Sequence, residues 1–196
     1  MAFENPPYEV LDKDGSFELR RYDDYIVAEV LLAEDYESAL SAGFRILADY
    51  IFGHNRHSEH IAMTTPVTER LANRSEKVAM TAPVTAQLHG DGNYVVAFMM
   101  PSKYSMDTLP EPIDKKIGFR VVAGHCAAVV KFSGTFSEKT AHARETELLA
   151  WLRQRQMDAR GAPIFANYSP PWIPPFLRRN EVIMDLGQMG ERVDTR

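Results

Sequence analysis

The sequence predicts an α+β protein: a twisted, barrel-like antiparallel β-sheet built from two pseudo-symmetric strand-strand-helix-strand-strand halves and flanked by two α-helices. Apolar and polar residues alternate over 17–32 and again over 117–132, the period of a half-buried strand. Each alternating stretch leads into a segment whose apolar residues step by three and four, the period of a helix with one buried face. The whole order then recurs once within 196 residues, with helices segregated from strands, as two-layer α+β architectures require.

In the first half, Phe17 and Leu19 alternate with polar neighbours, and Ile26, Ala28, Val30 and Leu32 continue the pattern. This reads as two antiparallel strands turning at Asp23-Asp24. Tyr36, Leu40, Phe44, Leu47 and Ile51 then fall on one helical face over 36–52, and Gly53 supplies a stop. Strands follow at 59–63, 78–82 and 94–100, with HGDGN (89–93) as a turn. In the second half Ile117, Phe119 and Val121 alternate, AGH (123–125) turns, and Cys126, Ala128, Val130 and Phe132 alternate again. Ser137 is the expected N-cap of a helix over 138–157 with Ala141, Leu148 and Leu152 inward. Short strands at 164–168 and 181–186 flank a Pro-rich loop at 170–175. One domain over 1–196 is expected, with pseudo-repeats at about 8–100 and 117–186. The prolines of the connector 101–116 favour an extended path.

An eight-residue phrase occurs twice, IAMTTPVT at 61–68 and VAMTAPVT at 78–85, with six identities across an offset of 17. It is too short for a solenoid unit and reads as a local duplication. Each copy runs from a β-prone stretch into Thr-x-Pro, where proline removes a backbone donor and ends the strand at a rim.

Composition bounds the function. The chain is 45% hydrophobic and 25% charged, with a net charge of -5. That permits one substantial core and argues against a nucleic-acid footprint. No stretch approaches the length of a spanning helix and the N-terminus lacks a signal-peptide pattern, so no membrane partner and a cytoplasmic location are expected. The single Cys126 excludes an internal disulfide and a thiolate zinc site, and reads as a small buried hydrophobe. A monomer is the favoured state.

The strand FELRRY (17–22), the helix end ADYIFGHN (48–55), the AMTxPV phrase (62–67 and 79–84), LPEP (109–112) and NYSPPW...RRNEV (167–182) together resemble the SOUL family of haem-binding proteins. The likeness runs from about residue 8 to 186 and keeps the family's motif order. It implies a barrel of two pseudo-symmetric halves, distantly similar to gyrase-inhibitor-like small-molecule-binding domains. It also implies a site for haem b or another porphyrin between the first helix and the Pro-rich loop. Carried over by position, Phe44, Leu47, Ala48 and Ile51 would line it from the helix, and Trp172, Ile173, Pro174 and Phe176 from the loop. A flat macrocycle needs an apolar slot with a rigid aromatic face, which Trp172 among prolines would supply. On periodicity alone, Phe44, Leu47 and Ile51 also read as helix core. Ser41, Asp49 and Ile173 stand where haem-binding members place basic groups toward the propionates, and Arg21 stands where one member has its proposed axial histidine. Arg45 on the helix and Arg178-Arg179 beyond the loop would be the replacement partners for propionates, since guanidinium pairs carboxylate in a two-pronged geometry. The expected function is therefore a tetrapyrrole carrier or buffer without firm axial ligation, not an enzyme.

His54, His57 and His60 cluster just past the first helix and could offer imidazole to iron or a divalent metal, although their spacing matches no metal motif. Met63 and Met80 open the repeated phrases but read as packed side chains. An alternative function centres on Glu181, with Tyr168 and Tyr94 as companions: a carboxylate in an apolar cavity could bind a small cation or serve a hydrolase as acid or base. The competing role for Glu181 is an ion pair with Arg178 or Arg179. A third reading is an interaction module that has lost its ligand.

Overall fold

The computed structural model describes residues 5–56, 77–78, 83–89, 92–135, 137–169 and 173–187. The predicted strand 59–63, most of that at 78–82, His57, His60, Met63, Met80 and Trp172 lie outside the described residues.

Among the described residues, eleven strands and two helices follow in order: β1 (Tyr8–Asp14), β2 (Phe17–Tyr22), β3 (Tyr25–Leu32), α1 (Tyr36–Ile51), β4 (Asn55–Arg56), β5 (Val84–His89), β6 (Asn93–Met99), β7 (Glu111–Pro112), β8 (Gly118–Val122), β9 (His125–Phe132), α2 (Glu138–Gln154), β10 (Arg160–Asn167) and β11 (Asn180–Gly187). A 3₁₀ turn at Pro175–Leu177 precedes the last strand. Nine strands form one antiparallel sheet in the order β1-β2-β9-β11-β10-β5-β6-β3-β8, while β4 and β7 pair separately.

That order is palindromic apart from the edge strand β1. Exchanging β2 with β8, β9 with β3, β11 with β6 and β10 with β5 returns the same sequence of neighbours, with the pseudo-two-fold axis between β5 and β10. The first strand of each half pairs with the second strand of the other: β2 with β9, and β8 with β3. The expected hairpin over 17–32 is therefore corrected. β2 and β3 are separated by Asp23 and Asp24 alone, yet they belong to opposite ends of the sheet. The same holds for β8 and β9, joined by Ala123 and Gly124. Two such short crossings oblige the sheet to curl until its ends lie side by side. It does not close: β1 and β8 are its edges and do not pair, whereas a barrel has none. The expected barrel is thus a strongly curled open sheet.

Both helices pack on the convex face. Asp35 caps α1 by accepting from Ser38 N at 3.1 Å, and Ser137 with Thr140 forms a capping box at α2. Gly53, at φ 114°, lets the chain leave α1 through a conformation that a side chain would disfavour. Alternate residues Ala28, Val30, Val96, Phe98, Val130 and Val182 face Leu47, Tyr50, Leu148 and Leu152 across one continuous core. Phe17 stacks on Trp151 of α2 at 5.3 Å, and Trp151 Nε1 donates to Asp14 at 3.0 Å, fastening the β1–β2 hairpin to that helix. The connector is less extended than its prolines imply. Leu109 is buried in the core, Tyr50 donates to the carbonyl of Pro110 at 2.9 Å, and β7 pairs with β4.

Candidate functional site

The concave face is where the sequence pattern misleads. Polar residues of β2 that alternate with Phe17 and Leu19 read as solvent-facing, but Glu18 and Arg20 are buried. They meet the same face of β11 and β9. Arg20 donates from both Nη atoms to the two carboxylate oxygens of Glu181, each at 2.9 Å, and from Nε and Nη2 to Glu18 at 3.0 and 2.8 Å. Arg179 donates twice more to Glu181, at 3.0 and 2.8 Å, Tyr168 donates at 2.6 Å, and Lys131 reaches Glu18 at 2.6 Å. The guanidinium of Arg20 is also covered by the ring of Tyr8 at 4.2 Å.

This network settles the chemistry of Glu181. Burial alone would raise its pKa, but Arg20, Arg179 and Tyr168 outweigh burial and hold it below the usual carboxylate value. With both oxygens accepting several charge-assisted hydrogen bonds, Glu181 presents no unpaired charge to a cation and no proton to a substrate. The ion pair expected as its competing role is present, through Arg179 and Arg20; the Arg178 Nε instead donates to the carbonyl of Ile173 at 2.8 Å. Tyr94 lies elsewhere, edge-on to Tyr36 near α1.

On the convex side, the residues expected to line a pocket divide. Leu47 and Ile51, 0% and 1% exposed, belong to the core and touch no groove. Phe44, 38% exposed, rests on Phe98 at 5.5 Å and forms with Ala48 and Phe52, 60% exposed, a stripe at intervals of four residues. This stripe floors a groove of about 590 Å³. Arg45, Asp49, His54 and Asp114 supply its polar rim. His54 Nδ1 pairs with the Asp49 carboxylate, and the His54 amide donates to the carbonyl of Asp49 at 3.1 Å. These contacts orient the imidazole.

The described part of the Pro-rich loop does not line that groove. Ile173 is half-buried, Pro174 is exposed, and Phe176 is 73% exposed; the carbonyl of Pro175 accepts from the amide of Gly134, beside the start of α2. Among the described residues no group of three or more His, Cys, Asp or Glu side chains gathers as a metal site.

Sequence reasoning missed a second cavity, of about 620 Å³, in the hollow of the curled sheet. Tyr22, Tyr25, Tyr168 and His125 form its aromatic wall, and Tyr22 stacks on His125 at 5.3 Å. Val27, Ala97, Met99 and Ile164 line the floor, with Arg120, Arg160 and Asp185 among the polar groups. The available signal was the spacing: each of these strand residues lies in register with its neighbours, on the face opposite the helix-facing alternation.

A family model described as SOUL heme-binding protein matches residues 3–185. No curated protein matches the chain. Among solved structures, the fold is similar to that of the EcmrR C-terminal domain, at a TM-score of 0.61 and 11% identity over 92% of this chain and 98% of that one. It is also similar to a hydrolase from Listeria innocua, at a TM-score of 0.55 and 14% identity over 89% and 93%. At such identities the likeness is one of fold.

Proposed function

Because the chain belongs to the SOUL heme-binding protein family, we propose that it is a tetrapyrrole-binding protein, a carrier or buffer, and that the macrocycle lies along α1. The observation that carries this placement is the stripe Phe44-Ala48-Phe52, with exposed rings at its ends and a buried alanine between them. Two rings flank a methyl group, so the helix offers a flat apolar strip between raised aromatic edges, the shape a planar ligand needs. Arg45 at the rim suits a propionate, while Asp49 and Asp114 disfavour a second one nearby. The residues therefore fit a porphyrin whose acidic edge lies at the rim, with one propionate against Arg45 and the other in solvent. Apolar burial supplies most of the affinity, and firm axial ligation is not required. Bound haem would supply iron redox chemistry; this chain contributes binding and orientation. The neutralised Glu181 favours binding over hydrolysis.

Titration of the protein with haemin and with iron-free protoporphyrin, followed by the Soret band, tests this. Saturation at one per chain is expected, with a dissociation constant at or below about 1 µM, roughly -8 kcal/mol. Phe44→Ala with Phe52→Ala, and separately Ala48→Glu, should weaken it by about tenfold or more, near 1.4 kcal/mol. Equal affinity for the iron-free ring is the outcome expected if binding uses no axial ligand. Unsaturable uptake insensitive to these variants would reject the α1 site and favour an interaction module that binds no tetrapyrrole.

The Trp172 expectation and the roles of Ile173, Pro174, Phe176 and Arg178 belong to the same proposal.

A further inference from the structure

By the pseudo-two-fold of the sheet, β8 corresponds to β2. The outer edge of β2 carries β1 antiparallel to it, whereas among the described residues nothing pairs with the outer edge of β8. We propose that this edge binds a second copy of the chain, β8 against β8, so that the protein forms a two-fold dimer rather than the expected monomer.

The open groups of the edge are identifiable from the register. The amide of Met100 donates to the carbonyl of Ile26 at 2.7 Å, so Ile26 turns its backbone groups toward β6. Bonding alternates along an antiparallel strand, and Tyr25, Val27 and Glu29 therefore bond β8, through Val122, Arg120 and Gly118. Phe119 and Val121 are left with their N–H and C=O groups pointing outward. No strand equivalent to β1 covers them, because the chain ahead of β8 is engaged elsewhere: β7 pairs with β4, and the Ile117 amide donates to the carbonyl of Asp114 at 3.2 Å.

The two edges of the sheet differ in how well they are guarded. β1 has an irregular register between Val10 and Asp12 and carries Glu9, Asp12, Lys13 and Asp14, and both the irregularity and the charges discourage pairing. β8 pairs with β3 without a break and contains no proline, and its one charge, Arg120, is matched by Glu29 at 2.9 Å. Val121, 49% exposed, puts an apolar side chain on this edge.

Charge selects the occupant. Lys115 and Lys116 stand just before β8, beside Asp114, whose carboxylate accepts from the Lys116 amide at 2.9 Å. Asp23 and Asp24 stand at the far end of the strand, where Asp24 accepts from the Gly124 amide. Two antiparallel copies lay the basic end of each β8 along the acidic end of the other, twice over, whereas a parallel arrangement would oppose like charges. With Val121 opposite its own copy at the two-fold axis, the two valines cover each other and Arg120 faces Val122 of the other copy rather than a second arginine. Such an isologous contact is self-complementary and closes at two chains.

Sedimentation of the whole chain over a range of concentrations tests this. The average mass is expected to rise from one chain toward two. Hydrogen exchange should slow in parallel at the amides of Phe119 and Val121 but not at Arg120, which already bonds β3. Val121→Pro removes an outward-facing donor and no bond within the chain, so it should give a folded monomer. Val121→Lys and Val121→Glu reach the same end without touching the backbone, since each sets like charges against each other across the axis. Either variant alone should be monomeric, and an equimolar mixture of the two should dimerise. A parent chain that stays monomeric at every concentration, or a dimer that persists in Val121→Pro and Val121→Lys, would overturn the proposal.

Discussion

The carboxylate of Asp24 accepts a hydrogen bond from the amide of Gly124 at 2.6 Å, tying together the two crossings that carry the chain from one end of the sheet to the other. Each crossing is only two residues long, so their junction fixes how tightly the sheet curls and therefore how open its hollow is. The contact is close on the other side too, because a Cβ at Gly124 would sit 3.1 Å from the carbonyl oxygen of Tyr22.

Asp24→Ala should cost about 1 kcal/mol, the net worth of one hydrogen bond. Gly124→Ala should cost a comparable amount by pushing the two crossings apart. Urea unfolding measures both, and the expected signature is a lower midpoint at unchanged slope, since neither variant alters the surface exposed on unfolding. A Gly124→Ala protein as stable as the parent would mean that the clasp is loose.

Arg20 is the pivot of the buried network, with Glu18 on its own strand and Glu181 across β9. Replacing it with Met leaves Glu18 and Glu181 buried with fewer partners, so a loss of about 3–5 kcal/mol is expected. Glu181→Gln should cost less, because an amide oxygen still accepts from Arg179 and Tyr168. A double-mutant cycle separates the pair's coupling from the cost of stranding each charge.

The same network sets the acid limit. Glu18 and Glu181 are buried, which opposes ionisation, but Lys131 and Arg20 for Glu18, and Arg20 and Arg179 for Glu181, lower both below the ordinary value of 4.5. A lowered folded-state pKa gives stability that is present above the unfolded value and lost as pH falls through the folded one. Denaturation midpoints should therefore be flat from neutrality to about pH 5 and fall steeply below pH 4.5. Glu181→Gln should flatten that fall. An unchanged acid limb would show that this carboxylate is not ion-paired in solution.

At the alkaline end, burial pushes up the phenols of Tyr22 and Tyr168, and the nearby Glu181 charge adds to it for both. Raised values mean stability present below the unfolded tyrosine pKa and lost as pH rises toward the folded one. Ultraviolet titration should show these rings ionising only as the protein unfolds, above about pH 10. Two further phenolates appearing reversibly before unfolding would contradict their burial.

Much of the local structure was legible in the sequence. The four-four-three-four stepping from Tyr36 to Ile51 gave α1, and Ser137 was rightly read as the cap of α2. The strand β1 was not legible, because an edge strand exposed on both faces, as at Glu9 and Val10, leaves no alternation. Partner choice was not legible either. The pattern of β2 says which face is apolar but not that its neighbour is β9, more than a hundred residues away. The burial of Glu18 and Arg20 was not legible for the same reason: a charge is buried only when a long-range partner, here Glu181, makes it tolerable. The hollow is a product of curvature, which arises from the exchange of first strands: the alternation marks which residues share its face, but not that the face is hollow.

The placement of α1 depends on Gly43. A Cβ built there would lie 2.6 Å from Cβ of Val96 and within 2.9 Å of both its methyl groups, so the helix touches β6 at this point. Helix propensity alone would favour Gly43→Ala by about 1 kcal/mol. The clash opposes it, and a β-branched side chain on a central strand cannot swing aside. Gly43→Ala should therefore destabilise by about 1–3 kcal/mol, the usual cost of overpacking. Val96→Ala should not rescue it, because the closest atom is the Cβ that alanine keeps; only Val96→Gly would restore the gap. A lifted helix would also move Phe44, whose ring leans on Phe98, so haemin affinity should fall along with stability in Gly43→Ala. Thermal melts and Soret titrations of the two double variants decide the point: rescue by Val96→Ala would mean that α1 rides higher on the sheet than these distances place it.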